Sequence, residues 1–206
     1  MRVFITGATG FIGSAVVKEL IVSGYEVLGL ARSAEKAQSL LAAGAKVQQG
    51  SLQDLDSLRS GAAQSDGVIH LGFVHDFSKF VENCAIDKRA IEAIGSVLSG
   101  SDRPLIVTGG LVGVGTPGQL ATEDDFVPPD FPSPRVSEQT AFALNKVNAS
   151  AVRLSQIHDT RKQGLVSYIV PIAREKAVSA YVGSGQNRWA SAHISDIARL
   201  YRLALE

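Results

Sequence analysis

Cysteine occurs once in the 206 residues, at Cys84, so no disulfide can close within the chain and no thiolate metal cluster can form. That usage fits a reducing cytosol, and a cytoplasmic location is expected. Cys84 itself reads as a small apolar residue inside a helix. Excess charge is also missing: 20 Lys+Arg stand against 20 Asp+Glu, for a formal net charge of zero. Nucleic acid and anionic membrane surfaces are ordinarily met by a basic excess, so neither is expected as a partner. There is no run of about 18 apolar residues, which removes a membrane span. Strand-like residues follow Met1-Arg2 at once, so no signal peptide is expected. The four histidines, at 70, 75, 158 and 193, are scattered without a companion at i+4 or a nearby cysteine, and no metal site is expected.

What remains is an ordinary globular composition, 45% hydrophobic and 19% charged, in a chain long enough for one sizeable domain. Short apolar runs at Val3–Thr6, Tyr25–Leu30, Ala45–Gln48, Gly67–Leu71 and Leu105–Thr108 read as strands. Between them lie helical stretches at Phe11–Ser23, Ala34–Ala43, Asp54–Ser60 and Phe77–Leu98. Ile12, Val16 and Leu20 share a face of the first, and Ser33 and Gly44 are the natural start and stop of the second. The strands do not alternate in polarity, which is the pattern of strands buried on both faces of a parallel sheet. The expectation is α/β: a doubly wound parallel sheet of the Rossmann type with right-handed crossovers.

Beyond the fifth strand the pattern loosens. Residues 109–133, rich in Gly, Pro and acid, predict a long irregular loop, and such loops are usually functional. Ser133 and Pro134 look like the N-cap and first residue of a helix ending near Leu144. Ala149–Leu154 predicts the sixth strand, Leu165–Lys176 a helix in spite of Pro171, and Val178–Val182 a further strand. Ser195–Glu206 predicts a closing helix with Ile197, Leu200, Tyr201 and Ala204 on one stripe. The whole chain, 1–206, is expected to form a single domain, with 155–192 contributing part of a substrate-binding region.

The chemistry begins in the first βα turn. Gly7-Ala8-Thr9-Gly10-Phe11-Ile12-Gly13 sets three glycines at GxxGxxG spacing between strand and helix. Gly7 serves the tight turn, Gly10 the close approach of backbone to a pyrophosphate, and Gly13 the packing of helix on strand. Thr9, Phe11 and Ile12 complete this loop, and the helix N-terminus offers free N–H groups and its dipole to phosphate. About 20 positions further on, where an NAD site ordinarily carries an acid for the ribose hydroxyls, stand Ala31, Arg32 and Ser33. Arg32 can make charge-assisted bonds to a 2′-phosphate, with no carboxylate to oppose it. NADP(H) is therefore the preferred cofactor, with NAD(H) also able to fit.

These residues resemble the short-chain dehydrogenase/reductase superfamily, and within it the extended and atypical members grouped as NAD-dependent epimerase/dehydratases. Other landmarks agree along nearly the whole chain. Gly50-Ser51-Leu52, followed by Asp54, resembles the turn that contacts adenine, although the family usually carries Asp where Ser51 stands. His70-Leu71-Gly72-Phe73 resembles the loop along the cofactor ribose. Thr108 matches the family's active-site Ser/Thr, Arg153-Leu154-Ser155 the turn beside the nicotinamide, and His193-Ile194-Ser195-Asp196-Ile197-Ala198 the late His-x-x-Asp-x-Ala segment. The resemblance implies cofactor contacts from Leu71, Gly72, Phe73 and Ser155 as well as from the glycine loop. It also implies a homodimer through the long helix Phe77–Leu98.

Two departures qualify that picture. The Tyr-x-x-x-Lys pair that exchanges a proton with substrate in the family is missing: matching Glu138 to the family's glutamate puts Asp130 and Pro134 in those places. General acid–base help is worth roughly 10²–10⁴ in rate, so its loss slows hydride transfer without forbidding it. Thr108 can still orient a carbonyl, and Asp124, Asp125, Tyr168 and His158 are the remaining proton-donor candidates. The chain also stops near the end of the His-x-x-Asp helix, so either the C-terminal substrate lobe is reduced or missing, or the sequence is part of a longer protein. Together the residues imply an NADP(H)-dependent oxidoreductase of the atypical short-chain type acting on a small carbonyl, alcohol or sugar-like substrate. The rival reading is a catalytically degenerate NADP(H)-binding sensor or scaffold.

Overall fold

The computed structural model describes residues 1–116, 118–128 and 130–206. Six parallel strands form the main sheet: β1 Arg2–Thr6, β2 Glu26–Ala31, β3 Lys46–Gln49, β4 Gly67–His70, β5 Ser101–Gly110 and β6 Val147–Leu154. Their spatial order is β3-β2-β1-β4-β5-β6. The chain winds outward from β1 in one direction and from β4 in the other, so a crevice opens where the carboxyl ends of β1 and β4 diverge.

The strand composition explains the two-sided sheet. Val3, Ile5, Ile69 and Ile106 point to one face, where they meet Val16 and Leu20 of α1 (Phe11–Val22) and Ile197 and Tyr201 of α7 (Ile194–Leu203). Phe4, Val68, Leu105 and Val107 point to the other, against Leu58 of α3 (Leu55–Ala63) and Ile91 and Ile94 of α4 (Phe80–Leu98). Successive residues of each strand thus enter different cores, which is why the sequence shows unbroken apolar runs instead of alternation. The helix α2 (Ala34–Ala42) closes the β2–β3 crossover and is capped by Ser33, whose hydroxyl accepts from the Lys36 N–H.

The second half differs from expectation in several places. The helix expected from Ser133 is α5, Ser137–Phe142. Ser133 does not cap it: its hydroxyl accepts from the Arg135 N–H in a local turn, and the Pro132/Pro134 alternation holds the preceding backbone out of the helical region. Val178–Val182 is not a strand. It follows α6 (Val166–Lys176) after Ala177 takes a left-handed conformation, and its valines are exposed with no neighbouring strand to pair with. Instead, two short strands unread in the sequence, β7 Gln156–His158 and β8 Ser191–His193, pair in parallel. That pairing brings His158 and His193 together with ring centroids 5.6 Å apart, so these two histidines are not scattered. On α7 the buried stripe is Ile197, Ala198 and Tyr201, while Leu200 is exposed.

Residues 77–79 form a short 3₁₀ turn ahead of α4. The outward side of α4 carries Glu82, Lys88, Arg89 and Glu92 together with exposed Val81. Among the described residues no helix is long and apolar enough to cross a membrane. No group of three or more His, Cys, Asp or Glu there could hold a metal.

Candidate functional site

The crevice at the β1/β4 divergence is one end of a cleft of about 1610 Å³, larger than the ~300–1,000 Å³ of an ordinary small-molecule pocket. All fourteen site residues read from the sequence, from Gly7 to Ser155, line it. They come from the carboxyl ends of β1, β2, β3, β4, β5 and β6, which the topology alone gathers.

At the glycine loop, Gly7 has φ +68°, a region open to glycine. A Cβ there would meet the Gly72 backbone nitrogen at 2.8 Å, and one on Gly13 would collide with the Gly7 carbonyl. The loop after β1, the start of α1 and the loop after β4 are therefore packed backbone to backbone. Gly10 donates its N–H to the Gly7 carbonyl (2.9 Å), and no side chain caps α1. The first turn of α1 keeps its N–H groups free at the cleft wall, a cradle suited to a pyrophosphate.

At the β2 end the cleft is lined by exposed Arg32 and by Lys36, one turn into α2. Lys36 was not anticipated from the sequence. Its signal was its place three residues past the Ser33 cap, which turns it back toward the strand end. Ser51 and Leu52 form the facing wall, where Ser51 Oγ accepts from the Gln53 and Asp54 N–H groups, 3.3 Å each.

A buried polar chain runs from the glycine loop toward the β5 end. The Gly72 N–H donates to Thr6 Oγ1 (3.0 Å), which lies 2.8 Å from His70 Nδ1; His70 Nε2 lies 3.1 Å from Asp87 Oδ1. Ser137 donates to Asp87 Oδ2 (2.6 Å), and Arg135 Nε donates to Ser137 Oγ (3.2 Å). With Asp87 ionised, every donor in this chain has an acceptor: Nε2–H of His70 faces the carboxylate and the Thr6 hydroxyl donates to Nδ1. Burial pushes the Asp87 carboxyl up, but the hydrogen bonds from His70 and Ser137 and the Arg135 charge outweigh it and hold it below the usual carboxylate range.

Thr108 lines the cleft, but its hydroxyl proton goes to the His70 carbonyl (2.8 Å), and the same oxygen lies 2.8 Å from the Tyr201 hydroxyl. Orienting a substrate carbonyl, the role expected for it, requires that bond to His70 to break. Burial raises the Tyr201 hydroxyl pKa, against the lowering effect of its Thr108 bond. Beside Thr108, Arg135 Nη2 donates to the Thr108 carbonyl (3.0 Å) and its guanidinium lies 4.4 Å from the centre of the Phe73 ring. Phe73 in turn packs edge-on against His75 and Phe80. Burial pushes the His75 pKa down, and the Arg135 charge acts in the same direction.

Of the four proton-donor candidates, the structure brings only Tyr168, on α6, to the cleft wall. Asp125 is turned to its own loop, where it accepts from the Thr122 N–H and hydroxyl. Arg135, Glu138 and Lys162 are cleft-lining charges that sequence reasoning missed. Glu138 is held by both Nε and Nη2 of Arg153 at 2.6–3.2 Å, and this pairing raises the Arg153 pKa.

With this geometry in place, comparison with known proteins is informative. The family model described as NAD dependent epimerase/dehydratase family matches residues 3–95. An uncharacterized protein of Schizosaccharomyces pombe is 48% identical over 210 residues, covering 100% of this chain and 71% of the relative. A sterol-4-alpha-carboxylate 3-dehydrogenase (decarboxylating) of Dictyostelium discoideum is 28% identical, covering 100% of this chain and 67% of its own. Among solved structures, the Bordetella bronchiseptica enzyme WbmH in complex with NAD+ superposes with a TM-score of 0.72 at 19% identity, over 99% of this chain and 71% of that one. This last likeness concerns the fold.

Proposed function

The chain belongs to the NAD-dependent epimerase/dehydratase family, and we propose that it is an oxidoreductase that uses a nicotinamide dinucleotide, NADP(H) in preference to NAD(H), to interconvert a small carbonyl compound and its alcohol. The observation that carries the reading is the pairing of the uncapped α1 N-terminus with Arg32 and Lys36 along one cleft wall. The backbone of Gly10, Phe11 and Ile12 would hold the pyrophosphate. Arg32 and Lys36 would hold a 2′-phosphate, and Ser51 and Leu52 would face the adenine. Leu71, Gly72 and Phe73 would line the ribose, with Ser155 and Thr108 at the nicotinamide end. The cradle fits: there is no room for a Cβ on Gly7 or Gly13, and no acid is capable of repelling a phosphate among Ala31–Ser33. When bound, the nicotinamide supplies or accepts the hydride. Residues 155–192 would contribute the opposite wall of the substrate region, through Leu165 and Tyr168.

The test is a fluorescence titration of the purified chain with NADPH and NADH. NADPH is expected to bind at least tenfold tighter, and Arg32→Ala with Lys36→Ala to remove that margin, each lost phosphate contact being worth about 1 kcal/mol. Equal affinities in the unmodified chain would sink the NADP(H) assignment.

The commitment of the Thr108 proton to His70, together with Asp130 and Pro134 where the family's Tyr and Lys stand, favours a second reading, a cofactor-binding sensor that does not turn over. It is separated from the first by NADPH consumption: an enzyme consumes it in proportion to added carbonyl compound, a sensor under none of a broad panel.

A further inference from the structure

The structure assigns Arg135 to a carboxylate-binding subsite: we propose that the molecule accepted beside Thr108 carries a carboxylate on an apolar body. The inference rests on the oxidoreductase reading for what happens next to that carboxylate, but not for the subsite itself.

Arg135 is half-buried on the cleft wall, and its three contacts are all neutral: the Ser137 hydroxyl, the Thr108 carbonyl and the face of Phe73. They fix the plane and direction of the guanidinium, and no carboxylate touches it. The nearby acids are spoken for. Asp87 accepts from His70 and Ser137 and reaches Arg135 only through the serine. Glu138 is clamped by Arg153. Among the described residues Arg135 forms no ion pair, and its Nη1 neither has a protein partner nor is a buried orphan. Arg135 lines the cleft, and that nitrogen is not sealed from solvent. A guanidinium held rigid, partly desolvated and without a carboxylate in contact can pair with one brought by a ligand.

The surroundings select the rest of the molecule. Phe73 lies against Arg135 and packs on Phe80, and Phe131 and Leu165 line the same cleft, giving apolar walls that suit a hydrocarbon or aromatic body. A phosphate is a poorer match at this end. The short helix α5, six residues long, brings no array of free N–H groups comparable to the start of α1. Asp87 acts here as a positioning residue, since its bond to Ser137 fixes the acceptor on which Arg135 Nε rests.

The experiment is isothermal titration of the full chain, with and without saturating NADP+, using phenylacetate, its neutral isostere phenylacetamide, and phenyl phosphate. The expected result is phenylacetate binding at least tenfold tighter than phenylacetamide and tighter than phenyl phosphate. Arg135→Gln levels acid and amide, and Arg135→Lys, which keeps the charge but loses the anchoring bonds to Ser137 and Thr108, retains part of the preference. Equal binding of acid and amide by the unmodified chain overturns the proposal, as does binding of neither, or stronger binding of phenyl phosphate. So does a preference that survives Arg135→Gln. If Arg135→Gln fails to fold, Arg135→Lys and the comparison of the three probes on the unmodified chain still decide. Cofactor titration is read separately: an acid preference without NADPH binding sinks the oxidoreductase reading alone, and NADPH binding without acid preference sinks the carboxylate subsite alone.

Discussion

The two walls of the cleft are built on different physical terms. The wall made by β1, α1 and β4 is buried and set by backbone: four of five β1 residues are buried, and Gly7 and Gly13 sit where a side chain would meet backbone. The facing wall, drawn from described residues between 111 and 135 and from 156–168, rests on far less. No residue of α6 is buried, and Tyr168, Ile169 and Ile172 are each more than half exposed. The lesson is a division of labour. A dinucleotide has a fixed pyrophosphate core, so the end that would hold it can be rigid and written in glycines. The end that would meet substrate is written in loop side chains, which can change without disturbing the sheet.

The largest blow to this contrast comes from the rigid wall. Gly13→Val drives a branched side chain into the Gly7 backbone, which cannot yield as a flexible side chain would. A loss of about 4 kcal/mol is expected, with loss of NADPH binding, read by chemical denaturation and cofactor fluorescence. A smaller effect is expected where the two walls are joined. Asp87→Asn leaves His70 and Ser137 with a weaker acceptor and should cost about 3 kcal/mol. The same carboxylate governs the acid limb of stability. Its folded pKa is depressed, so its contribution is fully present above the ordinary carboxylate range and is lost as pH falls through the folded value. In Asp87→Asn that part of the acid loss should vanish, leaving a shallower stability profile below pH about 4. Smallest of all, Ile172→Ser on α6 should change the thermal midpoint by no more than about 0.5 kcal/mol would. A large loss there would mean that the exposed wall is structural after all, and that the two walls are less different than their burial suggests.

How much of this was legible beforehand follows the same division. The glycine loop, the five leading strands and the turns after β3 and β4 could be read because their constraints are local: a glycine where the backbone needs it, an apolar run where two faces are covered. The β7–β8 pair escaped because Gln156–His158 and Ser191–His193 are three residues each, and neither has a pattern until the other lies beside it. Val178–Val182 misled for the opposite reason, β-branched composition without a partner. Arg135 could not be weighed at all from sequence, since a lone arginine in a proline-rich loop reads as solvated. Its significance depends on Thr108, Ser137 and Phe73, which lie 27 residues upstream, two downstream and 62 upstream of it.

The sequence by itself determined the order of elements, the two-sided sheet and the place of the glycine cradle, because burial on both strand faces and steric exclusion at glycine are written residue by residue. Only the tertiary structure decided where charge is compensated and where it is left over. Whether Asp87, Glu138, Arg153 or Arg135 finds a partner is settled by distances of about 3 Å between residues far apart in the chain, and hydrogen bonding and ion pairing fall off too steeply with distance for sequence separation to reveal them.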